Sequence, residues 1–406
     1  IYLVARLTPL FGGDAVWFWT VSLVGIVTLL YGSWNAVRQK DLKALLAYST
    51  ISQLGLIMSL LGLGSAAMYF GYGDESKIYA IAVLAAVFHL VNHSTFKGSL
   101  FMVVGIIDHE TGTRNLQRLG GLMSLMPISF TITMIGSFSM AGLPPFNGFL
   151  SKEMFFTGVV NASGMDVFGM EKFGMIFPVV AWVASVLTFV YCMIMVFKTF
   201  AGDHKPELLS KAAHEPPIGM LIPPAILAMF VVLIFFFPNI LAKYILDPAL
   251  IAILPDYVEA GGLGKEISAW HGFNTELWMT IGVVLFGLLL YKLLPKWIRV
   301  FSWYPQSLTF NNIYNESLQL TESISDYVTK KYMTGYTRDY LVYIFLFFIV
   351  IVGGSLWVFN GFVFDMSKDS PVSSYEIVMV IGMVITALIA LVSQYRLTSI
   401  IAVGAL

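Results

Sequence analysis

Ala141-Gly-Leu-Pro144-Pro145-Phe-Asn-Gly148 interrupts an apolar segment running from 123 to 161, and its reading decides the fold. One straight helix over that segment would be about 58 Å long at ~1.5 Å per residue. Two adjacent prolines prevent this, because each lacks an N–H donor and its ring clashes with the preceding turn. The segment is therefore either two tight spans or one broken span.

The rest of the chain says what is being spanned. Of 406 residues, 58% are hydrophobic and 12% charged, with a mean hydropathy of +0.80. Soluble domains carry about 25% charged residues. Apolar runs near 15–33, 42–64, 79–107, 174–197, 219–238, 274–294, 339–359 and 375–393 approach the ~20 residues that a bilayer core demands of a helix. The fold class is all-α, a polytopic transmembrane helix bundle with a Pro-broken helix. Trp17, Trp19, Trp34, Trp278, Trp297 and Trp357 fall toward span ends, where interfacial aromatics belong.

Lys and Arg counts choose between one crossing and two. With one, loops 34–43, 108–120, 198–217, 292–338 and the end after 394 share a side and hold 15 basic residues. Lys77, Lys172, Lys243, Lys265 and Lys368 hold the other side, so the division is 15 against 5. Two crossings flip everything after 161 and leave 9 against 11. The positive-inside rule favours one broken helix, with the richer side cytoplasmic. Lys97 and Lys152 then lie inside spans.

Lys97 ends a stripe. His89, His93 and Lys97 are four apart, so on a helix they climb one face at about 6 Å per step. Charge at mid-bilayer costs at least ~2.5–3.5 kcal/mol on insertion scales. Histidine titrates near neutrality. Groups that gain and lose protons at this spacing suit a proton relay, and intramembrane ionisable residues default to function. The structural alternatives are a histidine that only bonds a neighbouring helix and a lysine that is a fixed ion-pair partner. Lys152 follows the proline break, where unpaired backbone is tolerated only beside protein or a water cavity; snorkelling to the interface is its structural alternative. Ser49, Ser52, Gln53, Ser94 and Thr95 are candidate linings of a water path, or polar glue between helices. Asp108, His109 and Glu110, at a span end, are read as solvated.

Other chemistry lacks support. Two histidines at i, i+4 need a third ligand to hold a metal, and no HExxH pattern is present. The single cysteine, Cys192, forms no disulfide framework. There is no phosphate-binding loop or catalytic triad. A net charge of -1 points away from nucleic acid. No metal or cofactor is expected.

Six stretches carry a family resemblance. Phe88-His-Leu-Val-Asn-His-Ser-Thr-Phe-Lys97-Gly-Ser-Leu-Phe101 resembles the central proton-channel helix of antiporter-like subunits. These occur in respiratory complex I and in Mrp-type multisubunit cation/proton antiporters. Asp41-Leu-Lys-Ala-Leu-Leu-Ala-Tyr48-Ser-Thr-Ile-Ser-Gln-Leu-Gly55 resembles a second signature, and Ala141 to Glu153 the broken helix, with Lys152 at the terminal channel position. Tyr2-Leu-Val-Ala-Arg6 is similar to the end of the preceding channel helix. Ser268-Ala-Trp-His271-Gly-Phe-Asn274 and Gln394-Tyr-Arg396-Leu-Thr-Ser-Ile-Ile-Ala-Val-Gly404 resemble the large A-subunit branch of the Mrp antiporters.

The resemblance implies an antiporter-like fold and a piece of a longer chain. It implies a proton-translocating subunit of a Na⁺(cation)/H⁺ antiporter, a secondary active transporter rather than an enzyme. Lys97, His93, His89 and Lys152 form the expected relay, with Pro144 and Pro145 at the break. Partner subunits of a hetero-oligomeric complex in a bacterial or archaeal cytoplasmic membrane are implied with it. The expected organisation is a channel module over 1–200, further helices and an extracytoplasmic loop over 201–302, a cytoplasmic amphipathic linker over 303–338, and a helical extension over 339–406. A proton-pumping subunit of complex I or of a membrane hydrogenase is the alternative within transport. A structural scaffold is the alternative outside it.

Overall fold

The computed structural model describes residues 1–71, 73–255, 266–270, 272–303, 309–361 and 371–404. Among these, eight helices are long and apolar enough to cross a membrane. The chain divides into two compact units, Ile1–Pro305 and Gln306–Leu406.

In the first unit, α1 (Tyr2–Phe11) leads into α2 (Ala15–Arg38), α3 (Leu42–Gly64) and α4 (Asp74–Thr111). Then come α5 (Pro127–Ala141), α6 (Asn147–Ser163), α7 (Ile176–Phe200), α8 (Ile218–Phe236) and α9 (Thr275–Lys292). Helix ends follow local chemistry. Asp14 caps α2 by accepting from Val16 N and Trp17 N, and Asp41 caps α3 by accepting from Ala44 N. Gly112, at φ +70°, ends α4 in the left-handed conformation that glycine adopts without penalty.

The broken segment resolves as α5 and α6, with Gly142–Phe146 between them. The start expected at 123 moves to Pro127, because Leu122–Met126 form a turn whose last N–H bonds Leu122 O. At ~1.5 Å per residue α5 is about 22 Å long and α6 about 26 Å. Each alone falls short of the ~30 Å hydrocarbon core. Hydrogen bonds at the ends identify the pair as one crossing. At one end, loops gather: Leu42 N donates to Arg114 O, Gly121 N to Ala201 O, and Ser210 N to Thr111 O. Glu215 accepts from Ile128 N and Ser129 N at the start of α5 there. At the other end, Asn161 near the C-terminus of α6 donates to Ile78 O, and Trp19 donates to Phe168 O. Arg38, Lys40, Arg114, Arg118, Lys205 and Lys211 all lie at the first end. Lys265 and Lys368, counted on the opposite side, lie outside the described residues, as does His271.

The core sits among α2, α3, α4, α6 and α7. α2 and α3 pack closely because small residues face each other. A Cβ at Gly32 would collide with the backbone of Ser52, and that approach lets Ser33 and Ser52 bond at 2.7 Å. The apolar stretch Ile245–Leu254 is helical as far as Ile253 and buries Leu246, Leu250, Ile253 and Leu254.

The second unit holds α10 (Phe310–Tyr332), α11 (Thr337–Val358), α12 (Ser374–Val392) and α13 (Arg396–Gly404). Thr309 caps α10, and a capping box of Ser373 and Glu376 starts α12.

Candidate functional site

α4 carries the stripe through the centre of the first unit. His89, His93 and Lys97 are all buried, at 0%, 7% and 4% exposure. Each meets a different neighbour. His89 Nδ1 lies 2.9 Å from Ser151 Oγ on α6, and Nε2 lies 2.9 Å from Gln53 Oε1 on α3. Gln53 Nε2 donates to the hydroxyl of Tyr191 on α7 at 3.1 Å. Its Oε1 therefore accepts, so His89 Nε2 carries a hydrogen. In the neutral ring Nδ1 then accepts from Ser151.

His93 stands one turn on, its ring centroid 6.4 Å from that of His89. Its Nε2 is buried without a hydrogen-bond partner among the described residues. Phe96 meets both rings edge-on, at 6.2 and 5.6 Å. Lys97 reaches α3, where Nζ donates to Ser49 Oγ and to Leu46 O at 3.2 Å.

Lys152 is anchored by the break itself. The end of α5 leaves carbonyls without helical partners, and Lys152 Nζ donates to one of them, Ala141 O, at 3.4 Å. Gly142 makes room: its φ is +81°, and a Cβ there would lie 2.6 Å from Lys152 Cδ. Pro144 and Pro145 hold the linker between the half-helices. Glu153, the next residue, turns away and accepts from Asn274 at 3.3 Å. It borders a cavity of about 310 Å³ with Thr157, Glu266 and Glu276.

A polar clasp ties the break to α4. Asn147 Nδ2 donates to Asn92 Oδ1 at 3.0 Å and to Thr95 Oγ1 at 3.2 Å, while its Oδ1 accepts from Ser139 at 2.7 Å. Asn92 Nδ2 donates to Asn147 O at 3.0 Å, and Gly148 N to Ser139 Oγ at 3.1 Å. This clasp seats Ser151 against His89 and Lys152 against α5.

Of the polar residues singled out in the sequence, Ser49 holds Lys97, Gln53 holds His89, and Thr95 joins the clasp. Ser52 bonds Ser33 rather than the stripe. Ser94 is not brought in: it is exposed on the outer face, and its hydroxyl donates to Val91 O. Tyr191, Asn147 and Ser151 were missed, since each sits in a segment whose own pattern reads as packing or as break. Glu110 corrects an expectation. It is buried, at 4% exposure, with His109 at 2.9 Å and His214 at 3.2 Å. The 201–217 loop folds over it, which its place at a span end did not reveal. No cluster of three or more metal-ligating side chains occurs among the described residues.

Residues 1–178 match the family model described as NADH:quinone oxidoreductase/Mrp antiporter, TM. The whole chain aligns with the A-subunit of the Na(+)/H(+) antiporter of Bacillus subtilis at 50% identity over 405 residues. That of Alkalihalophilus pseudofirmus aligns at 51%. The chain spans about half the length of these curated relatives, 50% of each. Among solved structures, the Mrp complex from Dietzia sp. DQ12-45-1b is similar over all of this chain and 41% of that one, with 26% identity and a TM-score of 0.68. An archaeal membrane-bound sulfane sulfur reductase shares the fold over 83% of this chain and 56% of that one, at 22% identity and a TM-score of 0.57. Residues 1–178 are thus similar to the transmembrane family shared by NADH:quinone oxidoreductases and Mrp antiporters, and all of this chain is similar to about half of the A-subunits of Na(+)/H(+) antiporters.

Proposed function

We propose that this chain is the proton-carrying part of the A-subunit of a multisubunit Na⁺/H⁺ antiporter. It would be a secondary active transporter driven by the proton motive force, in a bacterial cytoplasmic membrane, assembled with further subunits. The observation that carries this reading is a buried series of ionisable groups on one helix face, each held by polar groups from another helix. Residues 1–200 form the channel module in this reading. Residues 201–302 add helices and the extracytoplasmic loop, 303–338 are an amphipathic linker, and 339–406 begin a helical extension.

The chemistry follows from the contacts. Lys97 takes a proton where Ser49 and Leu46 O stabilise the ammonium. His93, its Nε2 unbonded, passes the proton toward His89. When His89 is protonated at Nδ1, that nitrogen becomes a donor. Ser151 must then turn its hydroxyl away, and Gly148 O lies 3.3 Å from Ser151 Oγ to receive it. Ser151 adjoins Lys152, which exchanges protons beyond the break. Each charged site repels charge on the next, strongly so in a low dielectric, and this couples successive steps.

The test is cation-dependent proton movement in inverted vesicles carrying the full complex, with assembly checked on a native gel. Lys97→Ala should abolish exchange and leave assembly intact. Lys97→Arg keeps the charge but cannot release the proton, so it should also abolish exchange. Normal exchange in either variant would make the stripe structural. Copurification with flavin or iron–sulfur subunits would instead mark the redox-driven branch of the family.

A further inference from the structure

We propose that the seam between α2, α7 and α9 binds one anionic phospholipid, with an acyl chain in an apolar groove and the headgroup phosphate in a basic cavity above it. The groove has a volume of about 670 Å³ and is lined by Val27, Leu30, Tyr31, Trp34, Leu187 and Leu290, among others. The cavity, about 590 Å³, draws on the same three helices further along, with Arg38 on α2, Lys198 on α7 and Tyr291 on α9. Trp34 and Arg38 are four residues apart, so the two spaces follow one another about 6 Å along α2.

Charge identifies the occupant. Arg38, Lys40, Lys198 and Lys205 line the cavity against one carboxylate, Asp203. None of the four forms an ion pair with a described residue, and Lys205 donates only to Gln117 O at 3.3 Å. Four cations facing a single carboxylate suit a phosphate diester, and basic pockets between transmembrane helices hold anionic headgroups. Depth agrees with charge. Trp34, Trp297 and Phe301 cluster at the groove's rim, with centroids 4.6–6.5 Å apart, and Trp297 Nε1 donates to Leu290 O. Aromatic residues with a polar tip settle at headgroup level. The cations lie just beyond that level, where a phosphate would be, and the groove lies below it among the chains. Lys198 and Arg38 reach the phosphate with their stems along apolar surface. The basic residues of this end also make it the cytoplasmic side by the positive-inside rule, the leaflet face richest in anionic headgroup contacts.

The assay reconstitutes the full complex in liposomes that carry phosphatidylglycerol with a photoreactive acyl chain, or phosphatidylcholine with the same chain. Cross-linked peptides are then mapped. Phosphatidylglycerol should label peptides around Trp34, Leu187 and Leu290, in clear excess over phosphatidylcholine. Arg38→Gln with Lys198→Gln should lower that labelling by tenfold or more, since two surface cations together supply about a thirtyfold preference. Val27→Trp, at a position 57% exposed, fills the groove from its open side, keeps every charge, and should also remove the label. Equal labelling by the two lipids, or labelling unmoved by both variants, overturns the proposal. So does competition by millimolar inorganic phosphate, which would mark a free-anion pocket, or a cross-link from the groove to another protein of the complex in place of lipid.

Discussion

Asn147→Ala removes the side chain that clasps the broken helix to α4. Three hydrogen bonds go with it, to Asn92 Oδ1, to Thr95 Oγ1 and from Ser139 Oγ. Side-chain bonds between membrane helices average about 0.6 kcal/mol in double-mutant cycles, and a typical net value in proteins is about 1 kcal/mol. Three such bonds come to about 2–3 kcal/mol. The bond from Asn92 Nδ2 to the backbone of residue 147 survives, as does that from Gly148 N to Ser139, so the clasp weakens without vanishing. At about 1.4 kcal/mol per tenfold, a loss of ~2 kcal/mol raises the fraction of open breaks about thirtyfold. Opening moves Ser151 from His89 and Lys152 from Ala141 O. Thermal stability of the solubilised complex, followed by size-exclusion chromatography with fluorescence detection, should fall by a few degrees. Exchange in inverted vesicles should slow more than assembly suffers. Thr131→Ala is the control, since its hydroxyl is exposed and bonds only Pro127 O of its own helix. If Asn147→Ala matched Thr131→Ala in both stability and exchange, the clasp would not be what holds the break.

Gly142→Ala should impair exchange while the complex still assembles. A left-handed backbone at φ +81° costs a non-glycine residue about 1–3 kcal/mol, and the new methyl displaces the Lys152 stem; vesicle transport on native-gel-matched samples reads the difference. Arg114→Ala should change little. Its ion pair with Asp41 at 3.0 Å is 39% exposed on both sides, where such pairs contribute ~0.2–1 kcal/mol, so the thermal midpoint should stay within error of the parent.

The spans were legible because a bilayer imposes length and apolarity on each helix separately, and the caps at Asp14 and Asp41 lie next to the turns they satisfy. The single crossing at 127–163 was legible from Lys and Arg distribution, a property of the whole chain. What the sequence hid was pairing. Ser151 lies 62 residues from His89, and Asn147 lies 55 from Asn92. Nothing in either segment names its partner, because a hydrogen bond across helices depends on rotation of both about their axes. Glu110 was misread for the same reason: its neighbour His214 arrives from a loop over a hundred residues later. Ser94 shows the opposite limit. It sits between His93 and Lys97 in sequence, but at 100° per residue it turns to the outer face.

The proline break ties stability to transport in one place. Ending α5 at Ala141 frees a carbonyl, which costs energy inside a membrane unless a donor reaches it. Lys152 is that donor, so the residue proposed to move protons also satisfies the backbone that the break exposes. Were Lys152 to give up its charge, the bond to Ala141 O would weaken, since hydrogen bonds from charged donors are roughly twice as strong as neutral ones. The clasp at Asn147 holds through neutral groups alone and does not change with the proton. Discharging Lys152 therefore loosens one attachment of the break while the other stays fixed. The half-helices would then stay joined through Asn147.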